Sequence, residues 1–194
     1  VLANHITGIE IDDDKLLLDL AIFSKKELQD EKERLLREIT QKNHRRSFDL
    51  LLFDLDNTLL RTDDLERFRG KENVGNVSDN YIYELKSVII NSNRYLIYEK
   101  DLIEINTLYP DLKIGIFTRA PRKYSEILLS QYYSNAKWSV LISYDDTRYT
   151  KPNPEGINMA CQKLSITDLD RVAVIGDSKE DIESYFTNLI DNGY

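Results

Sequence analysis

The segment Leu50-Leu51-Leu52-Phe53, followed by Asp54, Asp56, Asn57 and Thr58, constrains this chain more than any other stretch. Four consecutive apolar residues read as a strand buried on both faces, the pattern of a parallel sheet. Asn57 and Thr58 favour a turn directly after it. Open α/β sheets bind ligands in the crevice beyond the carboxyl ends of their strands. A strand that delivers two carboxylates into that crevice predicts a chemical site as well as a fold.

The chain of 194 residues has room for one domain with an appended or inserted subdomain. A hydrophobic fraction of 41% suffices for a core. The net charge of −8 argues against sequence-independent nucleic-acid binding, which needs a basic face, but leaves room for a local basic site. The lone Cys161 excludes an intrachain disulfide. It shares an expected helical face with Ile157 and Leu164 and reads as a core thiol. His5 and His44 lack metal-ligand spacing. No stretch approaches the roughly 20 apolar residues that span a bilayer, and no signal pattern opens the chain. The expectation is a cytoplasmic protein without membrane contact. It begins at Val1 rather than Met, as a processed form or a fragment would.

Residues 1–46 read as an N-terminal extension. Ile9-Glu10-Ile11 and Leu16 to Leu20 flank Asp12-Asp13-Asp14-Lys15 as in a short hairpin, although a helix through Leu16 to Phe23 fits the same residues. The three aspartates lack the glycine and terminal glutamate of a calcium loop and read as a solvated turn. Ser24 and Glu27 form a capping box. The helix they open runs to about Asn43, with Leu28, Leu35, Leu36 and Ile39 as a narrow apolar stripe. Residues 24–43 are expected to dock on the main domain, or to pair with a second copy or another protein.

Within residues 61–93, Gly70, Gly75 and the Asn73 to Asn80 run mark a loop, and Tyr81 to Ile90 a helix. A second helix is expected over Tyr95 to Leu108, ended by Tyr109-Pro110-Asp111. Strands follow at Leu112 to Phe117, Trp138 to Ile142 and Arg171 to Ile175. Helices separate them, one after Pro121 and one after Lys151-Pro152-Asn153-Pro154. Alternation of strands with helices predicts a parallel sheet with right-handed crossovers.

The strand ends carry Asp54 and Asp56, Thr118, Lys151 (in the loop and helix start after the third strand), and Asp177 with Asp181. In a parallel sheet these ends converge. A carboxylate can attack phosphorus, a second can protonate the leaving oxygen, and acids hold a hard cation. A hydroxyl and an ammonium stabilise the transferring oxygens. Arg119, Arg122 and Lys123 suit either substrate anions or a solvated helix start, and Asp145 and Asp146 read as loop acids.

Four motifs in order, Phe53-Asp54-Leu55-Asp56-Asn57-Thr58, Ile114 to Thr118, Lys151 to Gly156 and Gly176-Asp177-Ser178-Lys179-Glu180-Asp181, resemble the haloacid dehalogenase superfamily of phosphohydrolases over about residues 48–190. The resemblance implies a Rossmann-like three-layer α/β/α fold with a mostly parallel sheet. Its core would be residues 47–60 and 94–194, with a small, mainly helical cap at 61–93. It implies Asp54 as nucleophile and magnesium ligand, and Asp56 as general acid and base with its backbone carbonyl on the metal. Thr118 and Lys151 would hold phosphoryl oxygens, Asp177 would bind magnesium, and Asp181 would support it directly or through water. An acid at position 56 marks the superfamily's phosphatases, since its true dehalogenases lack one.

The expected activity is a magnesium-dependent phosphatase working through an aspartyl-phosphate on a small phosphorylated metabolite or nucleotide. A macromolecular substrate (a nucleic-acid 3′-phosphate or a phosphoprotein) and an interaction module using the N-terminal helix stay open as alternatives. The insert is short for this family, which points to poor closure, a larger substrate or completion by another chain. After the fourth motif one helix is expected before Tyr194, where the family commonly has a further strand. No Gly-x-x-x-x-Gly-Lys loop or Gly-x-Ser-x-Gly elbow is present.

Overall fold

The computed structural model describes residues 48–191. The hairpin and the helix expected within residues 1–46 lie outside them. Leu50–Phe53 forms β1, joined by β2 (Lys113–Phe117), β3 (Val140–Ile142) and β4 (Val172–Ile175). All pair in parallel in the order β3-β2-β1-β4. Five helices connect or follow them: α1 (Asp79–Ile89), α2 (Glu99–Leu108), α3 (Arg122–Tyr132), α4 (Glu155–Leu164) and α5 (Lys179–Asp191).

The apolar run of β1 is buried throughout, because the sheet is covered on both faces. Leu51 and Phe53 point with Ile114, Ile116, Ala173 and Ile175 into the core shared by α1, α2 and α3. Leu50 and Leu52 point with Val172 and Val174 into the core shared by α4 and α5. Cys161 lies in this second core, and burial pushes its thiol up to about 11. The expected three-layer α/β/α architecture is therefore the observed one.

Handedness explains the order of the strands. From β1 to β2 to β3 the chain steps one way along the sheet, with its helices on one face. The return from β3 to β4 crosses the sheet in the opposite direction, so a right-handed crossover must place α4 on the other face. The connections leaving the adjacent strands β1 and β4 thus go to opposite faces. This switch point opens a crevice at their carboxyl ends.

Several boundaries differ from those the sequence predicts. α2 starts at Glu99, not Tyr95. Tyr95 bridges Leu60 in extended geometry, and the N–H groups of Leu96 and Ile97 donate to Leu59 O at 2.9 and 3.2 Å. Asp101 then accepts from Tyr98 N–H at 3.2 Å and marks the true first turn. β3 likewise begins at Val140, after Trp138 and Ser139. The loop expected from Gly70, Gly75 and the Asn73 to Asn80 run contains a short 3₁₀ turn at Lys71–Asn73, follows another at Asp63–Phe68 and gives way to α1 at Asp79. Leu65, Phe68, Leu85 and Ile89 join the core on the α1 face. Buried Arg94 clamps this stretch by donating to Asp64 at 2.6 and 2.8 Å and to Arg61 O at 3.1 Å.

After β3 the chain turns on Asp146. Its carboxylate accepts from Ser143 N–H at 2.8 Å, Ser143 Oγ at 2.7 Å and Arg122 Nη2 at 2.5 Å. Burial raises this carboxyl, but the Ser143 donors and Arg122 outweigh it and hold it below its ordinary value. A depressed folded value contributes stability above the unfolded one, about 3.9, and that contribution disappears as pH falls through the folded value. Asp146→Asn should therefore flatten the acid limb of a urea-derived stability profile below about pH 4. Parallel profiles would contradict the assignment.

Gly156 supports the site from below. A Cβ there would lie 2.2 Å from the Phe117 ring, which packs under the Lys151 ammonium at 4.6 Å from its centroid. Gly156→Val should cost about 1–3 kcal/mol through overpacking, measured by urea denaturation. A change within about 0.5 kcal/mol, the range of an unconstrained surface substitution, would show that the ring yields freely.

Candidate active site

The chain leaving β1 folds back at once instead of entering a helix. Leu59 and Leu60 N–H both donate to Leu55 O, at 3.1 and 3.2 Å, and Asn57 N–H donates to Leu60 O at 2.7 Å. Asn57 takes the left-handed conformation, φ 57°, which asparagine tolerates better than most residues. Its Oδ1 accepts from Thr62 N–H at 3.1 Å. Asp54 N–H still donates to Ile175 O at 2.7 Å, so the carboxylate emerges beside the end of β4.

There Asp54 meets Lys151, whose Nζ donates to its Oδ1 at 2.6 Å and lies 2.5 Å from Asp181 Oδ1. Lys151 is only 4% exposed and Asp181 1%. Burial disfavours the Lys151 ammonium, but Asp54 and Asp181 more than compensate and raise its pKa. Burial also raises Asp181, which Lys151 and the Ser178 donors reverse, leaving it below the ordinary carboxylate value. Those donors are Ser178 Oγ at 2.6 Å and Ser178 N–H at 3.1 Å. Gly176 gives Asp181 its place, because a Cβ there would lie 2.2 Å from the carboxyl carbon. Asp54 is the strained member. Burial, with the charges of Asp181 and Asp56, outweighs Lys151 and pushes it up to about 8.

Asp177 completes an acidic cluster. It accepts from Thr58 Oγ1 at 3.3 Å, and burial and Asp181 raise its pKa. Ligand oxygens of Asp54, Asp177 and Asp181 lie within 4.8 Å of one another. One ammonium faces three carboxylates, so negative charge is in surplus. Hard oxygen donors with surplus charge fit a divalent cation such as magnesium.

Asp54, Asp56, Thr118, Asp177 and Asp181 all line one cavity of about 490 Å³. The six residues singled out in the sequence thus come together here, with the Lys151 ammonium bonded to Asp54. The Asp56 carboxylate stands apart from the acidic cluster. Tyr124 OH donates to its Oδ1 at 2.8 Å, and Arg69 Nη1 approaches to 3.6 Å. Burial, then Asp56, raises the Tyr124 hydroxyl well above its ordinary value and keeps it a donor. Arg119 lines the cavity, whereas Arg122 pairs with Asp146, and Lys123 lies 3.8 Å from Glu126.

Sequence reasoning missed Arg69 and Tyr124. Arg69 follows a 3₁₀ turn that has no motif. Tyr124 lies on the buried face of α3 and reads as one packing tyrosine among twelve. A polar hydroxyl in the first turn of a helix that starts four residues after Thr118 is the only signal it offers.

Fold and site define a doubly wound α/β protein with an acidic cavity at its switch point. Residues 99–185 match the family model described as haloacid dehalogenase-like hydrolase. The chain is 36% identical over 70 residues to N-acetylmuramic acid 6-phosphate phosphatase from Pseudomonas aeruginosa, covering 36% of this chain and 30% of that protein. It is 38% identical over 53 residues to validoxylamine A 7′-phosphate phosphatase from Streptomyces hygroscopicus, covering 27% and 25%. The matches span less than a third of the length of these curated relatives. A solved haloacid dehalogenase-superfamily hydrolase from Ehrlichia chaffeensis superimposes with a TM-score of 0.52 at 19% identity, covering 73% of this chain and 84% of that one. Over residues 99–185 the chain is thus similar to haloacid dehalogenase-like hydrolases, and its fold is similar to that of the solved hydrolase.

Removing one partner of a buried ion pair leaves the other charge uncompensated. Lys151→Ala should destabilise the metal-free protein by about 3–5 kcal/mol in urea denaturation with EDTA. A loss below about 1 kcal/mol, the scale of an exposed pair, would contradict a buried Asp54–Lys151–Asp181 trio.

Proposed function

We propose that this chain is a magnesium-dependent phosphatase that hydrolyses a phosphomonoester through an aspartyl-phosphate on Asp54. The observation that carries this reading is the Asp54 carboxylate at the cavity, 2.6 Å from buried Lys151 and clustered with Asp177 and Asp181. Asp54, Asp177, Asp181 and the backbone carbonyl of Asp56 would hold the cation. When bound, magnesium supplies positive charge against the carboxylates and the phosphoryl oxygens.

In the first step an Asp54 oxygen bonds to phosphorus while the bond to the leaving oxygen breaks. The Asp56 carboxylic acid gives its proton to that oxygen. In the second step the Asp56 carboxylate takes a proton from water as the water oxygen bonds to phosphorus and the bond between phosphorus and the Asp54 oxygen breaks. This releases inorganic phosphate and restores both carboxyl groups. Thr118 and Lys151 hold the equatorial oxygens. Tyr124 and Arg69 act as positioning residues that aim Asp56 at the leaving group.

Residues 61–93 are read as a small cap on a core of residues 47–60 and 94–194. Arg69 and Gly70 from this segment line the cavity, which supports that role. The curated relatives are named for phosphorylated small molecules, which favours a small phosphorylated metabolite or a nucleotide as substrate.

Phosphate release from an aryl phosphate with magnesium tests the reading. Asp54→Asn and EDTA should each abolish release, and Asp56→Asn should lower kcat by about 10²–10⁴. Unchanged release from Asp54→Asn would exclude the proposed nucleophile. Tyr124→Phe should lower kcat more than it raises KM and shift the pH–rate profile. A change in KM alone would deny it a positioning role.

A further inference from the structure

A second concavity, of about 630 Å³, has Lys71, Tyr144, Arg148, Tyr149 and Thr187 among its lining residues. It adjoins the candidate active site. Gly70 lines the first cavity and Lys71 the second, and Lys151 joins the wall of the second to Asp54.

Among the described residues no acid lines this concavity, on a chain whose net charge is −8. Nearby acids are engaged elsewhere. Asp145 accepts from Gly75 N–H at 2.9 Å and Arg122 N–H at 2.6 Å, and Asp146 pairs with Arg122. Glu155 Oε2 accepts from both Arg148 and Tyr149 N–H at 2.9 Å, which fixes the backbone that carries those two side chains. Tyr149 is 65% exposed, so its ring face is open to a partner. Exposed cations beside an open aromatic ring are the elements of a surface that tracks a phosphate backbone and stacks a base.

We propose that this concavity receives the leaving group of a nucleotide substrate. A base stacks on Tyr149, a second phosphate lies between Lys71 and Arg148, and the terminal phosphomonoester reaches Asp54. The proposal deepens the phosphatase reading and rests on it only for the terminal phosphate. A sugar monophosphate offers neither the flat ring nor the second anion. A phosphopeptide supplies anions but no obligatory ring. The same chemistry comes from a nucleoside bisphosphate or from the phosphorylated end of a single strand.

The test is fluorescence anisotropy of a labelled short oligothymidylate 3′-phosphate, titrated with the Asp54→Asn protein in magnesium. Binding is expected, with release by unlabelled oligonucleotide but not by glucose 6-phosphate or a phosphoserine peptide at equal concentration. Release by thymidine 3′,5′-bisphosphate at equal potency assigns the site to small nucleotides, and much weaker release assigns it to a strand end. Either result supports the proposal. In the same background Tyr149→Ala should weaken binding about tenfold. Lys71→Ala with Arg148→Ala should also weaken it and reduce the salt slope by about two. Lys86→Ala with Lys137→Ala, an equal charge change on exposed residues outside both cavities, should keep the affinity. No binding, equal release by the sugar phosphate or the phosphopeptide, or undiminished binding by the groove variants would overturn the proposal. Aryl phosphate hydrolysis by the unaltered protein decides the phosphatase reading separately.

Discussion

The site depends on one buried ammonium. Lys151 enters from the loop after β3 and lies between Asp54 and Asp181, which follow β1 and β4. Three segments distant in sequence are therefore held by one charge. Buried ion pairs gain little unless their remaining donors and acceptors are satisfied. Ser178 supplies that satisfaction to Asp181, and the Phe117 face lies against the ammonium. Asp54 lacks comparable support, and burial, with the charges of Asp181 and Asp56, outweighs Lys151 and pushes its carboxyl up to about 8. The carboxylate proposed to attack phosphorus is also the one whose charge a cation would most relieve.

Backbone topology makes this convergence possible. Because the sheet runs β3-β2-β1-β4, the two acid-bearing strands are neighbours whose following segments leave for opposite faces. The tight turn at Asn57 keeps Asp56 near the cavity, and β2 brings Thr118 to the same rim. A parallel sheet buried on both faces holds these ends in a fixed register, so the site inherits its precision from Leu50 to Phe53 and their partners. The 61–93 segment then adds Arg69 from outside the sheet.

What was legible in the sequence was local or periodic. Four apolar residues announced β1, and alternating strands and helices announced the layers. The six candidate residues that the structure brings together stood in motifs at or after strand ends. What was not legible depended on distant partners. Tyr95 to Tyr98 continued a helical pattern, yet Leu59 O captured the N–H groups of Leu96 and Ile97, so α2 began later. Tyr124 looked like packing because its partner, Asp56, lies far away in the chain. The net charge of −8 masked a concavity that no acid lines among the described residues, since Lys71 and Arg148 come to its wall only in the folded protein.

Asp54 is proposed to carry the phosphoryl group. Acid-quenching the protein during turnover of an aryl phosphate with magnesium, followed by peptide mass spectrometry, tests it most directly. A phosphoryl adduct on Asp54 is expected, absent from Asp54→Asn and lost on treatment with hydroxylamine. An adduct on another residue, or turnover that continues in Asp54→Asn, would contradict it.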